Sequence, residues 1–219
     1  MAHALSFSSQ VIIITNSDEG WVKFSAEKYC PKLVPVVAKY RVVSARTRYE
    51  RFYPGQPLCW KAAAFAHEVN EIYEQLRDDA NDCVSMEGTD VSSDSSVESE
   101  DDFSMGREII SFGDSSEERA ATNIVSKQLG AMPKSVMFLN NPSPLQIMGQ
   151  LHMLTEHMGF VCDNRKSLDL KITSDQADRF AYSYLKKHRI HYDSTLIPNY
   201  VPTINQASSG EVIAASASA

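Results

Sequence analysis

The sequence predicts an α/β domain, Rossmann-like, with a mostly parallel sheet and flanking helices. Short β-branched runs such as Val11 to Ile14 and Ile109 to Ile110 break off in small polar residues. Segments with apolar residues at three- and four-residue steps lie between them, and the two kinds of segment alternate along the chain. Alternation implies parallel pairing, because strands that run the same way must be joined by a crossover of about a dozen or more residues, usually a helix.

In chain order, QVIIITNS reads as a buried strand that runs into a turn. From Glu19 to Tyr29, the residues Trp21, Val22, Phe24 and Ala26 suit a short amphipathic helix closed by Pro31, and a second helix surrounds Leu33 to Ala38. YRVVSA, residues 40–45, is the second strand, followed by a turn-rich stretch, TRYERFYPGQP. Leu58 to Arg77 carries Phe65, Val69, Ile72 and Leu76 at helical spacing and is the strongest helix. REIISFG is the third strand, with a helix from Ser116 to Leu129 behind it; SVMFL, residues 135–139, is the fourth, followed by the helix SPLQIMGQLHMLTEHMGFV. A strand at Leu168 to Ile172 and a helix around Gln176 to His188 complete the domain. The expected organisation is a short segment at 1–9, the α/β domain at 10–193 and a mobile tail at 194–219.

The 219 residues carry 28 Asp and Glu against 21 Lys and Arg, for a net charge of −7. Seven of the acids lie between Ser85 and Asp102, where there is no base, so the rest of the chain is balanced. This acidic, serine-rich stretch cannot bury enough apolar surface to offset its ordering entropy, and a disordered insertion at 85–104 is expected. Ser95 and Ser99 each have an acid three residues later, the pattern of an acidophilic kinase substrate; an unmodified solubilising loop is the equal alternative. A balanced remainder disfavours a nucleic-acid partner, which needs a broad basic face. Apolar runs fall far short of the roughly 18 residues that span a bilayer, so no membrane partner is expected. The N-terminus lacks the basic start and apolar core of a secretory signal. Cys30, Cys59, Cys83 and Cys162 form no CxxC pair and read as reduced thiols in or near the core, so a cytoplasmic location is expected, with the nucleus left open.

Ligands of parallel α/β sheets bind beyond the carboxyl ends of the strands. Three such ends carry suitable groups here: Thr15-Asn16-Ser17, Ser44-Ala45-Arg46, and the GDSSEE stretch from Gly113 to Glu118. Hydroxyls and backbone amides can hold phosphate oxygens, a lysine can neutralise them, and paired carboxylates can hold Mg²⁺. Lys61, which follows Trp60 at the start of the long helix, is the candidate cation. Bland readings stand beside these: Thr15 as a turn former, Lys61 as a solvated helix residue, Asp114 as the N-cap of the next helix. Among other groups, His188, His191 and Asp193 read better as a solvated helix end than as a metal site, and His152 and His157, five apart, share a helix face poorly. Arg46, Arg48, Glu50 and Arg51 read as surface ion pairs or as an anion-recognising cluster.

The order of apolar strand then Thr, WK opening a long helix, and apolar strand then GDxxxE resembles the haloacid dehalogenase-like superfamily. The segments ITNSDEGWVKFSAEKYCP, VVSARTRYERFYPGQPLCWKAAAF and IISFGDSSEERAA are similar to a eukaryotic microbial phosphatase-like subgroup of it. The likeness covers roughly Gln10 to Leu170. It implies that Thr15, with Asn16, binds the phosphoryl group, that Lys61 is the catalytic cation, and that Asp114 and Glu118 bind Mg²⁺, with Glu117 as a substitute for Glu118. The implied partner is a phosphorylated small molecule or protein. The superfamily's first motif, a strand ending in DxDxT, has no counterpart: the nine residues before Gln10 contain no Asp or Glu. The resemblance therefore implies a scaffold for Mg²⁺-dependent phosphoryl hydrolysis that, without a nucleophile, is inactive, as a truncated product or a pseudoenzyme. The alternative is a non-catalytic protein that binds a phosphate-bearing ligand or works through its acidic insertion.

Overall fold

In the computed structural model the described residues are 10–84 and 107–191, with side chains described to residue 78 in the first stretch. The expected insertion, the kinase-type serines Ser95 and Ser99, and the tail lie outside them.

Five strands are described: β1 (Ile12–Thr15), β2 (Arg41–Ser44), β3 (Glu108–Gly113), β4 (Met132–Met137) and β5 (Leu168–Lys171). All pairings are parallel, but in two sheets, β1-β2 and β3-β4-β5, where the sequence suggests one. The described helices are α1 (Trp21–Tyr29), α2 (Val34–Val37), α3 (Ala45–Tyr49), α4 (Pro57–Val84), α5 (Ser116–Gln128), α6 (Pro144–Asp163) and α7 (Ser174–Lys187), with a 3₁₀ turn at Pro31–Leu33 before α2. The architecture is α/β, with short parallel strands flanked by helices. Among the described residues no helix is long and apolar enough to cross a membrane.

Sequence and structure differ at several elements. Ala45, read as the end of a strand, begins α3, because Ser44 caps the helix by accepting from Thr47 N at 3.0 Å. α4 begins one residue before the expected helix and continues to Val84. Its buried face is Trp60, Lys61, Ala64, Phe65 and Glu68, whereas Leu76 at the end of the expected apolar series is exposed. β4 starts at Met132 instead of Ser135 and contains Pro133. Proline is tolerated there because Met132 and Phe138 donate towards β3, so the missing N–H of Pro133 faces the other side, where pairing with β5 begins only at Lys134. β1 was expected to be buried, yet all four of its residues are only partly covered.

Side chains alternate across the sheets. Ile109 packs with Phe65, Ala121 and Val125 beneath α4 and α5. Val136, Leu168 and Leu170 point to the opposite face, against Met153 and Val161 of α6 and Ala177 of α7. Val43, Ala45, Trp60 and Ala64 form a third cluster under the start of α4. Ile14 touches both this cluster and that of Phe65, so α4 spans the two sheets.

Candidate functional site

Lys61 is the centre of the site. It lies in the second turn of α4, on the face that Ala64 and Phe65 bury, and is only 2% exposed. A buried ammonium must be paired and hydrogen-bonded. Its Nζ donates to the carbonyl of Ile14, at the end of β1, at 3.0 Å and lies 2.7 Å from Glu118 Oε1 in the first turn of α5. One side chain thus joins the carboxyl ends of β1 and β3, and the reading of Lys61 as a solvated helix residue is excluded.

Glu118 is held on its other oxygen as well. Its Oε2 accepts from Ser115 N at 3.1 Å and from the Ser115 hydroxyl, closing a capping box. The N-cap is therefore Ser115 and not Asp114. Burial pushes the Glu118 carboxyl up, but the hydrogen bonds from Lys61 and Ser115 outweigh it, and its pKa falls below the ordinary 4.5. Gly113 makes room for this arrangement, since a Cβ there would stand 2.7 Å from Glu118 Cγ.

The remaining predicted residues surround this pair without sharing one cavity. Thr15 Oγ1 accepts from Ser17 N at 3.1 Å, the turn-forming role, and Thr15 also lines a hollow of about 380 Å³ between β1, β2, α1 and α2. Asn16 donates to the carbonyl of Pro57 at 3.3 Å, while its Oδ1 is buried without a partner. Asp114 is exposed, makes no hydrogen bond or ion pair among the described residues, and borders a separate hollow of about 250 Å³ with Phe138, Leu139 and Gln150. Glu117 is engaged by Ser116 Oγ at 3.3 Å. Asp18, the nearest acid to Thr15, is exposed and lies 3.7 Å from Arg46.

The arginine cluster divides. Arg46 pairs with Glu50 at 3.0 Å on the surface, and Arg51 lies over the Phe52 ring. Arg48, however, reaches Glu68 at 3.0 Å, and Arg41 holds the same carboxylate from the other side at 2.9 Å. Glu68 is 1% exposed. With His67 and Glu71 it forms a group of metal-competent atoms within 4.8 Å, but Arg41 also pairs with Glu71 at 2.8 Å, so both carboxylates are already matched by cations. A second buried cation, Lys134, pairs with Glu108 at 2.7 Å and donates to the Cys162 carbonyl. Neither Glu68 nor Lys134 was singled out from sequence. The spacing of Lys61, Ala64, Phe65 and Glu68 on one helical face is the signal that could have found the first. Nothing marks Lys134 in the run MPKSVM.

His152 and His157 both reach Phe180, at 6.0 and 5.6 Å between ring centroids, so one face of α6 presents them to α7 despite their spacing. His188 is exposed at the α7 C-cap, 4.3 Å from the Tyr184 ring. Cys30 is exposed, against the expectation for the cysteines, whereas Cys59 and Cys162 are partly covered.

No protein-family model, curated protein or solved structure matches the chain.

Proposed function

We propose that the chain is a haloacid dehalogenase-like domain that binds a phosphate-bearing ligand without hydrolysing it. The observation that supports this most is the position of Lys61: a buried cation at the carboxyl ends of β1 and β3, in the chain order strand-Thr, Lys, strand-GDxxxE. Asn16 follows Ile14 by two residues at the end of β1, and its buried, unpartnered Oδ1 is an acceptor for a protonated phosphate oxygen, whereas Thr15 and Asp114 border separate hollows.

The magnesium expectation narrows to Asp114. It is the one carboxylate of the pair with uncommitted oxygens, and one carboxylate plus phosphate oxygens is an ordinary Mg²⁺ donor set. A bound Mg²⁺ would neutralise phosphate charge there. Glu118 acts instead on Lys61, fixing the ammonium and balancing its charge. Hydrolysis by the superfamily's route needs a carboxylate aimed at phosphorus from a strand end. Asp18 does not supply it, being exposed and close to Arg46.

Calorimetry of the purified protein with inorganic phosphate and Mg²⁺ tests this reading. Heat of binding that is lost in Lys61→Ala is expected, with no turnover of p-nitrophenyl phosphate. Absence of heat would remove the phosphate site. Turnover with Mg²⁺ that disappears in Asp114→Ala would make the protein a phosphatase.

A further inference from the structure

The segment from Gly20 to Lys39 carries many apolar residues and buries almost none of them. Of α1, the 3₁₀ turn and α2, only Ala26 is buried. Trp21, Phe24, Tyr29 and Leu33 are between 47% and 64% exposed. Trp21, Phe24 and Lys28 follow one another at three- and four-residue steps, on the face of α1 opposite Ala26. The Trp21 and Phe24 rings lie 5.7 Å apart between centroids. Lys28 Nζ stands 5.6 Å from the Phe24 centroid and 5.3 Å from that of Tyr29. Apolar residues scattered singly over a surface need no explanation, but adjoining aromatic ones mark an interaction surface.

The cations of this segment are all lysines. Lys23, Lys28, Lys32 and Lys39 stand against Glu27 alone, a net +3 within a chain of −7, and all five are exposed. Glu27 lies 4.0 Å from Lys23, and among the described residues Lys28, Lys32 and Lys39 have no carboxylate partner.

We infer that this face docks on the surface of an anionic phospholipid bilayer, with Trp21, Phe24, Tyr29 and Leu33 in the headgroup layer and the lysines against the lipid charges. The inference is independent of phosphate binding at Lys61 and requires no membrane-spanning helix. Aromatic and aliphatic residues beside lysines are the composition of a helix that lies in the plane of the interface. Trp and Tyr rings settle at headgroup level. Lysine stems lie along apolar surface while their ammonium groups reach out, as Lys28 does over Phe24. Two other partners fit less well. A nucleic-acid single strand stacks its bases on free ring faces, and Lys28 stands over those of Phe24 and Tyr29. Protein interfaces favour arginine and are depleted in lysine, whereas residues 20–39 contain no arginine. One short helix and a turn give reversible, salt-sensitive attachment.

Flotation of the full-length protein with phosphatidylcholine vesicles, with and without about 30% phosphatidylserine, tests the inference. Binding at least about tenfold tighter to the phosphatidylserine vesicles is expected, weakening in about 0.5 M salt. Trp60 is buried, so quenching of fluorescence by brominated acyl chains reports Trp21 and is expected on binding. Two double variants, Trp21→Ser with Phe24→Ser and Lys28→Glu with Lys32→Glu, should each weaken binding at least about tenfold at unchanged melting temperature. Leu151→Ser, which alters an exposed leucine of α6, should leave binding unchanged. No binding, equal binding to the two kinds of vesicle, or binding retained in either double variant would overturn the inference. So would binding of a single-stranded oligonucleotide, or self-association, that replaced vesicle binding and was lost in the same variants.

Discussion

At the scale of single residues, the pair Lys61–Glu118 combines two demands on one carboxylate. Glu118 closes the capping box of α5 and balances a buried ammonium. Its pKa in the folded protein lies below its unfolded value, so folding releases a proton in the window between them. The stabilisation is complete above the unfolded value near 4.5 and is lost as pH falls through the lowered folded value. Acid titration of the folded protein followed by circular dichroism is expected to show this loss, and Glu118→Gln should flatten the stability profile in that window. The same substitution frees the charge of Lys61. Glu118→Gln is therefore expected to bind inorganic phosphate about tenfold more tightly by calorimetry, corresponding to about 1.4 kcal/mol. Unchanged or weaker binding would mean that Lys61 serves only to join β1 to α5.

At the scale of elements, close approaches decide what the helices tolerate. α6 and α7 meet at Gly149, where a Cβ would lie 1.9 Å from the Ala177 carbonyl oxygen. Because that atom is backbone, the helices must separate to admit a methyl group. Gly149→Ala is expected to cost at least about 1–3 kcal/mol in denaturant unfolding, despite the higher helix propensity of alanine. If it were neutral or stabilising, the contact would be looser than the geometry indicates. Gly113→Ala acts on the site instead, by displacing Glu118 from Ser115 and Lys61. It should reproduce the phosphate-binding change of Glu118→Gln while leaving α6–α7 packing intact. Most elements are legible in sequence, since α1, α5, α6 and α7 follow from apolar spacing and polar starts. α3 is not, because a three-residue signal from Ser44 to Thr47 competes with the β-branched run before it. The burial of Lys61 and Glu68 beside Phe65 in α4 is also a tertiary outcome, because their partners come from distant parts of the chain, while Leu76 at the end of the expected apolar series is left exposed.

At the scale of the molecule, the two sheets differ in how well they are buried. Val136 and Leu170 are at most 3% exposed, whereas β1 is half-covered and β2 is exposed at Arg41 and Val42, although buried at Val43 and Ser44. Opening of the β1-β2 unit should therefore need less free energy than opening of β3-β4-β5. Native-state hydrogen exchange is expected to give lower protection for Ile13 and Val43 than for Val136 and Leu170. Equal protection in the two groups would show that they unfold as one unit. The net charge of −7 has little part in this, because acids and bases balance outside residues 85–102.

The sequence by itself determined the alternation of strands and helices, the parallel class of the sheets, the location of the negative charge, and the short list from which the site is drawn. Those properties are set by local spacing and composition. Only the tertiary structure decided which of the candidates meet. It joined Lys61 to Glu118, separated Thr15 and Asp114 into different hollows, and revealed Glu68 and Lys134 as buried ions. The physical reason is that a charged side chain is buried only when a partner arrives from elsewhere in the chain. That pairing depends on the register and packing of elements tens of residues apart, for which no local pattern exists.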